Sequence, residues 1–186
     1  MAVWTIPNLF TFARLLLVPF VAWQLQAQQW VPAFWLFAIA AATDMLDGSL
    51  ARLLNQRSEF GAWLDPIADK LMLLTALLLL TWADLLPLWF AVLVLLRDAV
   101  VLSGAVAFRR LTGGLHVAPT WLGKTAVMLE FVLIAAVLAE VALQLGLSPW
   151  LPYLLWFTAL VAAASGLQYV WLWSGKTRSF LRALRS

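Results

Sequence analysis

The sequence predicts an all-α integral membrane protein: one domain over residues 1–186, with six transmembrane helices and a short amino-terminal interfacial segment. Three observations predict it. Of the 186 residues 65% are hydrophobic and only 11% charged, which is too apolar for a soluble domain. The apolar residues fall into six runs, each near the roughly 20 residues that a helix needs to cross ~30 Å of hydrocarbon. Lys and Arg occupy alternate gaps between those runs, as expected when one set of loops stays in the cytoplasm.

Residues 3–11 mix apolar and polar positions without spanning length and read as the interfacial segment. The first span then runs from about Leu9 to Ala27, with Arg14 near its start, where the long stem would snorkel or reach a bound phosphate. No basic residue precedes this run and no small-x-small cleavage pattern follows it, so it reads as a span and not as a signal peptide. The second and third spans, Trp30 to Leu54 and Phe60 to Trp82, are separated by the polar turn Asn55-Gln56-Arg57-Ser58-Glu59. After the reversal Asp84-Leu-Leu-Pro87 comes a fourth span, Leu88 to Phe108, then a loop from Arg109 to Pro119. The fifth and sixth spans are Thr120 to Leu143 and Pro149 to Trp173.

Arg52 and Arg57 follow span two, Arg109 and Arg110 span four, and Lys176, Arg178, Arg182 and Arg185 span six; the other three turns hold no Lys or Arg. This places both termini and the end of the bundle between spans two and three in the cytoplasm. Trp4, Trp30, Trp82, Trp121, Trp150 and Trp173 stand near helix ends as interfacial anchors. The net charge of +3 is small, and no nucleic-acid partner is expected. With no cysteine, disulfides, thiolate catalysis and thiolate zinc sites are excluded.

The chemistry concentrates in residues 44–69. Asp44 and Asp47 stand at i and i+3, and Asp65 and Asp69 at i and i+4, so on helices each pair projects from one face. Facing helices would gather four acids of a chain that has nine in all. Like charges held so close need a cation, and oxygen ligands without Cys or His suit a hard ion such as Mg2+, Mn2+ or Ca2+. Gly48, Ala51 and Gly61 leave room for a ligand to approach. Arg52 adds a guanidinium able to bind phosphate bidentately.

Written as a pattern, the stretch is D-x2-D-G-x2-A-R-x8-G-x3-D-x3-D, from Asp44 to Asp69. It resembles the signature of the CDP-alcohol phosphotransferases, membrane enzymes of phospholipid biosynthesis, and every fixed position is filled. The resemblance implies that a phosphatidyl group passes from CDP-diacylglycerol to an alcohol with release of CMP. It implies one or two Mg2+ or Mn2+ ions on Asp44, Asp47, Asp65 and Asp69, with Asp69 also the proton acceptor from the attacking hydroxyl. Gly48, Ala51, Arg52, Ser58 and Gly61 would line the CDP-diacylglycerol site. Asn8 and Thr11, in the run Ile6-Pro-Asn-x-x-Thr-x-x-Arg14, resemble the family's amino-terminal nucleotide contacts. The inner membrane of a bacterium is the expected location, and a homodimer is compatible with the apolar outer faces.

The acceptor is read from the fourth and fifth spans. Glycerol-phosphate enzymes of the family tend to carry Arg-Glu and a second Arg eight residues after the first; here Arg97-Asp98 is followed by Ala105 at that position. The set Arg97-Asp98, Arg109 and Pro119-Thr-Trp-Leu-Gly-Lys124 is more similar to the CMP-forming cardiolipin synthases, whose acceptor is phosphatidylglycerol. Arg97, Arg109 and Lys124 would then hold the acceptor's phosphodiester. Glycerol 3-phosphate is the alternative, because after Lys124 the chain departs from both patterns and Glu130 stands where relatives carry Gln.

A small transporter is the reading from another class, since intramembrane ionisable residues also mark carriers. Against it, the acids cluster near one face and no matching halves are seen. His116 and Glu140 are read as solvated or interfacial side chains, and the cationic tail 174–186 as a contact for anionic lipid.

Overall fold

The computed structural model describes the backbone of residues 6–54, 59–112 and 120–183, and the side chains of residues 12–43, 64, 66–107 and 120–173. Every element in it is helical: α1 (Ile6–Gln26), α2 (Trp30–Leu54), α3 (Glu59–Trp82), α4 (Leu88–Thr112), α5 (Trp121–Leu143) and α6 (Leu151–Ala183). No strand occurs among the described residues.

Local chemistry sets most of the helix ends. Pro7, Pro32 and Pro152 occupy first turns of α1, α2 and α6, where the missing N–H removes no helical hydrogen bond. Thr120 caps α5, its Oγ1 accepting the Gly123 N–H at 3.0 Å. At the end of α1 Gln29 N donates to Gln24 O at 2.8 Å and Gln28 N to Leu25 O at 3.1 Å. At the end of α3 Leu85 N donates to Leu80 O at 2.9 Å and Asp84 N to Thr81 O at 3.1 Å. Both closures put one residue in the left-handed region, Gln28 at φ 55° and Asp84 at φ 58°, where glycine is the usual occupant. After α5 the loop folds back on Glu140, whose Oε2 accepts the Leu147 N–H at 2.7 Å. The expected solvated role of Glu140 is therefore corrected: it organises the turn that follows its own helix.

Three boundaries also differ from expectation. Residues 6–11 form the first turns of α1 and not a separate interfacial segment. Helix α4 runs on through Arg109 and Arg110 to Thr112, and α6 continues ten residues beyond Trp173 to Ala183. An apolar run ends where hydrocarbon ends, but a helix can continue into water, and cations at its carboxyl end suit the macrodipole. His116 and Ser58 lie outside the described residues.

The chain divides into two compact units, Met1–Leu86 with Ile134–Pro149, and Pro87–Leu133 with Trp150–Ser186. In the first, α1 packs against α2 and α3. Its core is a stripe on each helix: Val21 and Leu25; Ala33, Phe37 and Ala40; Ala68, Met72, Ala76 and Leu80. Four alanines on those stripes let the helices approach closely, the usual route to van der Waals packing in hydrocarbon. In the second unit α4 packs against α6. Phe90, Val94 and Arg97 are buried on α4, and Thr158, Ala162, Ser165 and Tyr169 on α6.

The opposite helix faces are apolar and exposed: Phe20, Trp35, Leu71, Leu96, Met128 and Leu160 represent α1 to α6 in order. So large an exposed apolar surface belongs in a membrane. Three helices, over Leu88–Ala107, Trp121–Leu143 and Leu151–Trp173, are long and apolar enough to cross one. Among the described residues α1 and α2 contribute shorter apolar lengths, Phe12–Gln26 and Trp30–Thr43.

Gly104 of α4 lies against Trp173 of α6, and a Cβ there would come within 2.5 Å of the indole Cδ1 and 2.8 Å of Cε2. Gly104→Ala is expected to lower the stability of this packing by about 1–3 kcal/mol, the typical cost of overpacking. Thermal or denaturant unfolding in detergent checks it.

Candidate active site

The acid pairs lie on consecutive helices of the first unit. Asp44 and Asp47 stand ten and seven residues before the end of α2, and Asp65 and Asp69 six and ten residues after the start of α3. At 1.5 Å rise per residue both pairs lie about 9–15 Å along their helices from the junction. Only residues 55–58 join those helix ends. Counted along the chain, both pairs are therefore similar distances from the junction. The side chains of Asp44, Asp47 and Asp65 lie outside the described residues, as do those of Asn8, Thr11, Arg52 and Arg109; Gly48, Ala51 and Gly61 are placed by their backbone alone.

Asp69 is the member of the quartet whose side chain is described. It is 42% exposed and forms an ion pair with Arg14, whose Nη1 donates to Asp69 Oδ1. Arg14 itself is only 3% exposed. It shares the buried side of α1 with Val21 and Leu25, about two and three turns further along the helix. This corrects the expectation that Arg14 snorkels: a guanidinium buried among apolar side chains needs an acid, and Asp69 supplies it. Sequence reasoning had a signal for the need, a lone Arg in an apolar run, but none for a partner 55 residues away.

A second polar group lies in the other unit. Arg97 is 8% exposed. Its Nη1 donates to Asp98 Oδ1 at 2.9 Å, and its Nη2 to the Gly123 carbonyl at 3.0 Å and to Ser165 Oγ at 3.2 Å. One side chain thus ties α4 to the starts of α5 and the middle of α6. Its Nε is buried with no partner among the described residues. Alongside, the Thr120 N–H donates to Tyr169 Oη at 3.1 Å. A side chain at position 123 would crowd this group, since a Cβ there would lie 3.0 Å from Tyr169 Oη and 3.1 Å from Thr120 Oγ1. Lys124, one residue on, is exposed, with Nζ 5.6 Å from the centroid of the Trp121 ring. The cations expected on the acceptor therefore divide: Arg97 is largely engaged by the protein, whereas Lys124 stands at the surface. Ser165 and Tyr169 were missed, because on α6 they look like ordinary helix positions and only the fold reveals their partners.

The donor set fits a hard divalent ion. Four aspartates supply oxygen only, the chain has no cysteine, and the carboxylate of Asp69 remains accessible beside Arg14. Among the described residues no group of three or more His, Cys, Asp or Glu side chains forms, three of the four aspartates falling outside that set.

Comparison with known proteins decides the family. The profile of the CDP-alcohol phosphatidyltransferases matches residues 4–172, nearly the whole chain. The chain belongs to this family. Human cardiolipin synthase (CMP-forming) is 33% identical over 182 residues, covering 89% of this chain and 60% of the human protein. Its Streptomyces coelicolor counterpart is 40% identical over 114 residues, 57% of this chain and 52% of that protein. The Bacillus subtilis CDP-diacylglycerol–glycerol-3-phosphate 3-phosphatidyltransferase is 32% identical over 180 residues, 88% of this chain and 92% of the relative. The chain spans about 60% of the length of the human and rat cardiolipin synthases it matches. The motif from Asp44 to Asp69 lies within the matched region.

Proposed function

We propose that the protein is a phosphatidyltransferase that moves the phosphatidyl group of CDP-diacylglycerol to the free hydroxyl of phosphatidylglycerol, releasing CMP. The observation that carries this reading is the pair of aspartate couples on the consecutive helices α2 and α3, each couple within ten residues of the junction, in a chain of the CDP-alcohol phosphatidyltransferase family. Asp44, Asp47 and Asp65, with Asp69, would hold one or two Mg2+ or Mn2+ ions. Bound there, such ions neutralise the diphosphate and stabilise charge on the departing CMP. The remaining work falls to the chain. Asn8, Thr11, Gly48, Ala51, Arg52, Ser58 and Gly61 receive the CDP group, small residues giving access and Arg52 binding phosphate.

The acceptor hydroxyl attacks the lipid-side phosphorus; the new O–P bond forms as the bond to the CMP oxygen breaks, and CMP leaves with that electron pair. Asp69 takes the hydroxyl proton and passes it to water, a role that needs a carboxylate within hydrogen-bond reach. Arg97, Arg109 and Lys124 would receive the acceptor's phosphodiester.

Engagement of Arg97 by Asp98 supports phosphatidylglycerol, a monoanion at its phosphodiester, over the dianion of glycerol 3-phosphate. Glycerol 3-phosphate remains the second reading, favoured by the near full-length coverage of the B. subtilis relative. The chain crosses the membrane six times, in the inner membrane of a bacterium, with the motif end of the bundle at the cytoplasmic face; a homodimer uses its apolar outer surface.

Purified protein with CDP-diacylglycerol and Mn2+ is expected to release CMP and to form cardiolipin when given phosphatidylglycerol, read by mass spectrometry of the lipid products. Phosphatidylglycerophosphate formed from glycerol 3-phosphate instead would move the acceptor assignment and leave the reaction class intact. No CMP with either acceptor would sink the reading.

A further inference from the structure

Arg14 lies too deep to follow a substrate. At 3% exposure it sits on the packed face of α1, and its guanidinium meets the one carboxylate of the motif whose side chain is described. A buried guanidinium is costly to separate from its acid, so the pair is a fixed feature of the unit. Asp69 behaves differently: at 42% exposure it is held on one side and reachable on the other. A carboxylate so placed has its rotamer set by the arginine before any substrate arrives, and preorganised orientation is what proton transfer to a fixed hydroxyl requires.

We propose that Arg14 is the positioning residue for Asp69, holding its carboxylate in the orientation that receives the acceptor proton and balancing its charge from within the chain. This rests on the reading of Asp69 as proton acceptor. It also separates Arg14 from its neighbours Asn8 and Thr11: those are nucleotide contacts in the proposed site, whereas Arg14 acts through an acid and touches no substrate.

The test uses the full chain in detergent with Arg14→Gln, Arg14→Lys, Asp69→Asn and the double variant Arg14→Gln/Asp69→Asn. Three quantities are read: kcat with KM for CDP-diacylglycerol, Mn2+ affinity by paramagnetic resonance, and thermal midpoint. At saturating Mn2+, Arg14→Gln is expected to lower kcat by about 10–100-fold, the scale of a misplaced catalytic group, while KM for CDP-diacylglycerol holds; Mn2+ affinity falls only by the share that Asp69 contributes as an ion ligand. Arg14→Lys recovers part of the loss, since it keeps the charge but not the planar fork. In the Asp69→Asn background Arg14→Gln costs no further turnover.

The thermal midpoint keeps the proposal testable even where turnover is lost. Asp69→Asn removes the charge of one partner of a buried cation and melts lower, and adding Arg14→Gln restores part of that loss. Three results overturn the proposal: unchanged kcat in Arg14→Gln, a rise in KM for CDP-diacylglycerol alone, which would make Arg14 a substrate ligand, or additive losses in the double variant. Failure of the wild-type chain to release CMP would instead overturn the reading of the site, while the thermal cycle still reports whether the two side chains are coupled.

Discussion

Asp69→Asn is expected to reduce CMP release from CDP-diacylglycerol by about 10²–10⁴-fold, the range lost with a general base. The substitution keeps shape and size but leaves no carboxylate to accept a proton. Two other consequences separate this loss from simple unfolding. The carboxylate is 42% exposed, so the amide creates neither cavity nor clash. Arg14 keeps an acceptor oxygen across the same gap, so the protein is expected to remain folded although less stable. Asp84→Asn is the matched control: Asp84 is exposed in the turn between α3 and α4, and the same change there should leave turnover intact. Initial rates of CMP release at saturating acceptor and Mn2+ check the pair, and equal losses in both variants would remove the special role of Asp69.

Helix positions were legible because they depend on local composition. Trp30, Trp82, Leu88 and Leu143 bound helices where the apolar runs end, and the four motif aspartates fall on α2 and α3, the second and third of those runs. What escaped were features without a local signature. Helix α6 outruns its apolar segment because backbone hydrogen bonding does not stop at the hydrocarbon boundary. Glu140 looked like a solvated end residue because its partner is a backbone N–H in a loop, invisible to side-chain pattern. Arg14 and Arg97 were each recognisable as cations in apolar runs, and hence as residues in need of partners. Finding Asp69 for one and Ser165 for the other required contacts 55 and 68 residues apart, which the fold alone supplies.

Arg97→Ala is expected to destabilise the second unit by about 3–5 kcal/mol, the cost of breaking a buried ion pair from one side. The removed guanidinium serves Asp98, the Gly123 carbonyl and Ser165 at once, and its stem passes Gly166, where a Cβ would lie 3.5 Å from Arg97 Cγ. Alanine therefore leaves a hole and strips hydrogen bonds from groups on three helices. Graded variants locate the energy. Ser165→Ala removes one neutral acceptor and should cost only about 1 kcal/mol. Arg97→Lys keeps a charge near Asp98 but cannot reach three partners in one plane, so it should fall between the two. In Arg97→Met/Asp98→Leu both charges go and the volume is largely kept, so much of the stability should return. Unfolding in mixed detergent micelles, followed by tryptophan fluorescence, measures the series. A double variant as unstable as Arg97→Ala would place the energy in the bonds to Gly123 and Ser165, making the arginine a clasp on the start of α5 more than a partner of Asp98.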